Sequence, residues 1–278
     1  MRTPDNKKLH VIACITDSYF YIYQTLFNKT LPQEFDSITL FHVRDNQTLP
    51  GQVGTDNFKK INYEKLHFIR RQMTACSGDN LLVLDLDIVF FRPFKQIINE
   101  ALNEYDMAFQ YDTSDNHVAN VGVWAMQCSQ KNIDFFDKEI LPRAEALLLT
   151  REEFNEKHAN DRGDWTMDSG WRTQWSPRLA GALYEQWGKN NHNKKREAIA
   201  FDGDQCVVNA AILTPRYGHN IDICLLPNSF SQGHLDGGKN PKKCVLYHAV
   251  GSSGVKEKIK HMQEKFFEIS NKIVNNEN

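Results

Sequence analysis

The chain has 278 residues, 41% apolar and 24% charged, enough for one large domain with a sizeable core. Its 33 basic and 35 acidic side chains leave a net charge of −2, which argues against a basic footprint for nucleic acid. No apolar run is long enough to span a membrane, the first residues lack the apolar stretch of a signal peptide, and the six cysteines are dispersed with no CxxC pair. Fibrous, disulfide-stapled and membrane-spanning classes are thereby excluded, and reduced thiols suggest a cytoplasmic location.

In chain order, LHVIACIT (9–16) has the Val/Ile-rich character of a buried strand, and Asp17 and Ser18 are placed to cap a helix over about 19–29. SITLFHV (37–43) reads as a second strand, and Ile61, Leu66, Ile69 and Met73 mark a helical stripe within 57–75. NLLVLDLDIVFF (80–91) reads as a third buried strand, stopped by Arg92-Pro93. This β-α-β-α-β order implies an α/β fold with a mostly parallel sheet and helices on both faces. A helix over 94–104, strands at 106–111 and 120–126, and a helical stretch from 129 to about 150 follow. Residues 151–198 are polar and Trp-rich (Trp165, Trp171, Trp175, Trp187) and read as an insertion. A helix from Asp202 to Leu213, late strands in 221–227 and 243–250, and an amphipathic helix over 255–274 complete the chain.

Asp85 and Asp87 are the most informative residues. Side chains two apart on a strand share a face, so both carboxylates would lie together in apolar surroundings. Desolvating two like charges costs several kcal/mol per ion, and a divalent cation removes that problem. Oxygen ligands suit Mg²⁺ or Mn²⁺, ions that usually retain a substrate phosphate. The competing reading is that the strand ends early and the aspartates serve a turn.

DLDIV is similar to the opening motif of haloacid-dehalogenase-like phosphatases, in which Asp85 would be the nucleophile, but no later acidic motif of the required spacing follows. A larger set of motifs resembles GT-A-fold nucleotide-sugar glycosyltransferases of the retaining glycogenin-like and lipopolysaccharide galactosyltransferase families. These are the DxD of Asp85 and Asp87, Asn120-Val121-Gly122 as an NxG motif, Asp204-Gln205 with Asn209 beyond, and His248 in LYHAVGSSGVK. Where those families place a lysine after the histidine, Gly254 stands here and Lys256 follows; Cys206 replaces a second acid in the DQ segment.

The resemblance implies a single GT-A-like domain, with 1–111 as the nucleotide and metal half and 112–260 as the sugar and acceptor half, insertion included. It implies a Mn²⁺ (or Mg²⁺) ion held by Asp85, Asp87 and His248. Asp204 and Gln205 would lie near the anomeric centre and the sugar, and Asn120 and Gly122 beside the donor. Gly251 and Lys256 would meet the diphosphate, with Asp85 also in contact with the donor. Thr16, Asp17 and Tyr19 follow the first strand, where doubly wound sheets bind nucleotides, and Lys65 is within reach of a phosphate. Each also has a plainer reading: His248 as a structural histidine, Asp17 as a helix cap, Asp204 as an acidic first-turn residue, Tyr19 and the tryptophans as core, and Lys65 as solvated. The expected activity is transfer of a hexose from a nucleoside diphosphate, expected to be UDP, to a hydroxyl of a glycan, lipid-linked or protein acceptor. A binding protein without turnover is the remaining alternative. The last helix packs on the sheet in this reading, with peripheral membrane contact as its other use.

Overall fold

Near-continuous apolar runs in the central strands create two buried faces, and the helices cover both. The computed structural model describes residues 7–44, 56–111, 119–150, 153, 156, 203–213, 221–232, 243–250 and 254–274. The expected insertion and its tryptophans, Glu153 and Glu156 apart, lie outside the described residues, as does Gly251. Nine strands are described: β1 (Leu9–Thr16), β2 (Ser37–Val43), β3 (Asn80–Leu84), β4 (Ile88–Phe90), β5 (Met107–Tyr111), β6 (Ala119–Gln127), β7 (Ile223–Leu225), β8 (Phe230–Gln232) and β9 (Leu246–His248). The helical segments are α1 (17–30), α2 (Asp56–Ala75), α3 (Lys95–Glu104), α4 (130–148), α5 (Asp204–Leu213) and α6 (Val255–Val274). Both α1 and α4 change pitch along their length, each including a π-helical stretch.

Six strands form one sheet in the order β2-β1-β3-β6-β5-β7. The pairings β1–β2, β1–β3 and β5–β7 are parallel, while β6 is antiparallel to both β3 and β5. The sheet is therefore mixed, with β6 reversed against its neighbours. A smaller sheet, β4-β9-β8, lies beside it. Along β3, Leu81 and Val83 join a core with residues of α2, α4 and α5, whereas Leu82 and Leu84 join a second core with α1, α3, α6 and the small sheet. That division is the period-2 alternation of a strand buried on both sides. Among the described residues no helix is long and apolar enough to cross a membrane.

One expected strand is two. The run 80–91 leaves the large sheet after Leu84 and enters the small one at Ile88, so alternation on a continuous strand is not what brings Asp85 and Asp87 together. Asp85 N–H still donates to the Gly122 carbonyl (2.8 Å), extending the β3–β6 pairing, while the Asp87 carbonyl accepts from Ala249 N–H (2.8 Å), extending the β4–β9 pairing. Each aspartate thus belongs to a different sheet, and the pair sits in the break between them.

Asp36 secures the opposite end of β1. Its carboxylate accepts from Leu9 N–H (2.8 Å) and from Lys95 (3.0 Å), and these bonds hold it below its ordinary pKa. A depressed folded value means the stabilisation is present above the unfolded value of about 3.9 and is lost as pH falls through the folded one. Asp36→Asn is expected to lower the thermal midpoint at neutral pH, with the gap from wild type narrowing by about pH 3. An unchanging gap across that range would contradict this role.

Candidate metal centre

The break after β3 lies at the carboxyl edge of β1 and β3, where open α/β sheets place their ligands. The small sheet delivers the third component. Antiparallel pairing sets Ile88 opposite His248, so the histidine arrives beside Asp87 although 160 residues of chain separate them. One ligand atom from each of Asp85, Asp87 and His248 lies within 4.8 Å of the others. His248 Nε2 is 3.3 Å from Asp87 Oδ1 and 3.9 Å from Asp85 Oδ2. Asp87 and His248 are buried, while Asp85 is partly open to solvent. Two carboxylate oxygens and an imidazole nitrogen could together coordinate a divalent cation.

Gly122 makes room for this convergence. A Cβ at that position would stand 2.2 Å from His248 Cε1, 2.7 Å from Asp85 Oδ2 and 3.0 Å from Asn120 Oδ1. Asn120 Oδ1 accepts from Gly122 N–H (2.9 Å), so the NxG segment braces itself. Its neighbour α5 is clamped to the start of β6. The Asn209 amide donates to the Ala119 carbonyl (2.8 Å) and accepts from Ala119 N–H (3.0 Å).

Two lysines neutralise the aspartates. Lys258 of α6 pairs with Asp87, and Lys65 of α2 lies 2.8 Å from both Asp85 Oδ1 and Asp204 Oδ2. Burial by itself pushes the Asp87 carboxyl up, but the adjacent Lys258 and His248 outweigh it and hold the group well below the carboxylate range. Burial pushes Asp204 up, with Lys65 opposing and Asp85 adding to the rise, and the net direction is upward. Burial opposes the charge on both lysines, yet their carboxylate partners raise each above its usual value. Lys65 is therefore a buried, charged link between Asp204 and Asp85, and the plainer expectation of a solvated helical lysine does not hold.

The remaining sequence candidates are placed as follows. Tyr19 approaches the centre, with Lys258 Nζ 5.7 Å from its ring centroid. Thr16 Oγ1 lies 3.0 Å from Ser18 Oγ. Asp17 is within the first helical turn, and its carboxylate is 2.7 Å from His42 Nε2 near the end of β2, so it pairs with that strand instead of capping the helix. Gln205 is half-buried next to Asp204 in the chain, and its backbone carbonyl accepts from the Asn209 side-chain amide (2.8 Å). Lys256 is exposed at the start of α6; the lysine of that helix that reaches Asp87 is Lys258.

Two residues of the centre belong to none of the motifs. Lys258 falls on the helix face that carries Val255, Ile259, Met262 and Ile269, and a lysine on an apolar stripe is a readable sign of a buried partner. Gln110 is a polar residue inside the apolar strand MAFQY, and its amide oxygen lies 2.8 Å from His248 Nδ1.

No protein-family model matches the chain, and no curated protein matches it. Among solved structures it is similar to a glycosyltransferase involved in the glycosylation of the major capsid of PBCV-1, at 9% identity over 92% of this chain and 99% of that one, with a TM-score of 0.45. It is similar to the glycosyltransferase GlyE of Streptococcus pneumoniae TIGR4 at 12% identity, over 98% of this chain and 64% of that one (TM-score 0.43). A third is mouse xyloside xylosyltransferase 1, at 8% identity over 89% and 99% of the two chains (TM-score 0.43).

Proposed function

We propose that this chain is a metal-dependent glycosyltransferase that moves a hexose from a nucleoside diphosphate, UDP in our reading, to a hydroxyl of a glycan, lipid-linked or protein acceptor. The observation that carries it is the convergence of Asp85, Asp87 and His248 at the carboxyl edge of the sheet, between two lysines. The motif resemblance supports the sugar chemistry and retention at the anomeric carbon. Asp85, Asp87 and His248 would hold Mn²⁺ or Mg²⁺, which supplies neutralisation of the charge that builds on the departing diphosphate.

The charge balance supports an anionic donor. Asp85, Asp87 and Asp204 against Lys65 and Lys258 leave the cluster at −1 with His248 neutral. A dication raises it to +1, the sign a diphosphate requires. In this reading Lys258 exchanges Asp87 for the diphosphate, which Gly251 and Lys256 would also contact. Lys65 keeps Asp85 and Asp204 fixed relative to each other, so that Asp204 and Gln205 face the sugar beside Asn120 and Gly122. Thr16, Asp17 and Tyr19 line the nucleoside side, and the 151–198 segment serves the acceptor. Residues 1–111 then form the donor half and 112–260 the acceptor half of one domain.

The test is a donor panel: UDP-, GDP- and CMP-sugars with and without Mn²⁺, following free nucleotide, since slow transfer to water needs no acceptor. Mn²⁺-dependent release from one donor is expected. Absence of both release and nucleotide binding across the panel would sink the reading, and phosphate release from a simple ester that is lost in Asp85→Asn would replace it with a phosphatase.

A further inference from the structure

Gln110 stands directly behind His248, at the ring nitrogen turned away from Asp85 and Asp87. It is fully buried near the end of β5, just past a register shift between Phe109 and Gln110. Irregularities of this kind commonly re-aim a side chain beside a site. The Gln110 amide nitrogen donates to the carbonyls of Phe230 (3.0 Å) and Ser231 (3.1 Å) on β8. The reversed amide would set its oxygen against these two carbonyls, so the orientation is determined by the network. The amide oxygen that remains lies 2.8 Å from His248 Nδ1, and an amide oxygen can only accept. The proton of that bond must therefore sit on Nδ1. Across the ring, Nε2 is the atom that faces Asp85 and Asp87.

We infer that Gln110 is a positioning residue of the metal centre: by accepting from Nδ1–H it fixes the tautomer and ring orientation of His248, so that the Nε2 lone pair is presented between the two carboxylates. The inference rests on the metal-site reading proposed above. A neutral imidazole without this partner distributes its proton between the two nitrogens, and a proton on Nε2 blocks ligation. The β8 carbonyls hold Gln110 as Gln110 holds His248, so the small sheet sets both the place of the ligand and its protonation pattern. Outer partners of ligating histidines contribute about 10- to 100-fold in metal affinity.

The experiment combines Mn²⁺ calorimetry with ¹⁵N-histidine NMR of the metal-free full chain, for wild type, Gln110→Met and Gln110→Glu. The His248 signal is identified by its loss in His248→Gln. Expected results are an Nδ1-protonated His248 in wild type and a Gln110→Met protein that binds Mn²⁺ about 10- to 100-fold more weakly with that preference lost. Gln110→Glu keeps an acceptor toward Nδ1 but loses its donors to β8. Its affinity is expected to stay within about threefold of wild type despite a lower thermal midpoint. Equal weakening in both variants, tracking their thermal midpoints, would reduce Gln110 to a structural residue. Wild-type affinity in Gln110→Met would overturn the inference and leave the metal site standing, whereas wild type that binds no Mn²⁺ would remove both. If Gln110→Met does not fold, the wild-type spectrum decides, because an unprotonated Nδ1 contradicts the proposal by itself.

Discussion

Asp87→Asn is expected to eliminate metal-dependent donor breakdown, with turnover down about 100-fold or more, the equivalent of several kcal/mol of lost charge stabilisation. The substitution keeps the shape of the side chain but removes the charge that both His248 and Lys258 face. Asp87 is buried, so solvent cannot substitute for it. Lys258, raised above its ordinary pKa mainly through this carboxylate once burial is overcome, would lose its partner as well. Thermal stability should therefore fall along with activity. Comparing Mn²⁺ affinity with the unfolding midpoint separates the two effects. A folded Asp87→Asn protein with unchanged Mn²⁺ affinity would show that the cluster is an ion-pair network and nothing more.

Gly122→Ala is the second substitution with a large expected effect, although it removes no functional group. The added methyl would lie 2.2 Å from His248 Cε1, where ordinary contact begins at 3.4 Å. His248 must move back by about 1 Å, and displacement of that size at a reacting centre costs on the order of 100-fold. The ring cannot retreat freely, because Gln110 and the β4–β9 pairing hold it from behind. Asp85 Oδ2, at 2.7 Å from the same methyl, must also shift. We expect a folded protein with Mn²⁺ affinity and turnover both reduced by about 100-fold. Unchanged affinity in Gly122→Ala would mean that the ligands do not converge here.

Much of this arrangement is readable from residue pattern. The strands at 9–16 and 37–43 and the helix at 255–274 follow from apolar runs and a helical stripe. Asp85, Asp87 and His248 stand out because charged or metal-ligating side chains inside apolar strands need partners. The break at 85–87 is not readable, since LLVLDLDIVFF satisfies one long strand as well as two short ones. What divides it is the competition of two sheets for the same chain, a tertiary effect. β8 is missed because three residues carry too little periodicity. Gln110 and Lys258 belong to no motif; each shows in the sequence only as a polar residue in an apolar pattern, and its partner is fixed when folding places a histidine or an aspartate against it. Lys65 shows the converse: a helical lysine is ordinarily solvated, and only Asp204 and Asp85 together make its burial tolerable.

The most direct test of the metal-dependent nucleotide-sugar account is anomalous diffraction from crystals grown with Mn²⁺ and UDP. The expected result is one manganese peak ligated by Asp85, Asp87 and His248, with diphosphate oxygens completing the coordination and Lys258 turned from Asp87 toward the phosphate. UDP bound elsewhere, or Lys258 still seated on Asp87 with no manganese between the aspartates, would contradict it.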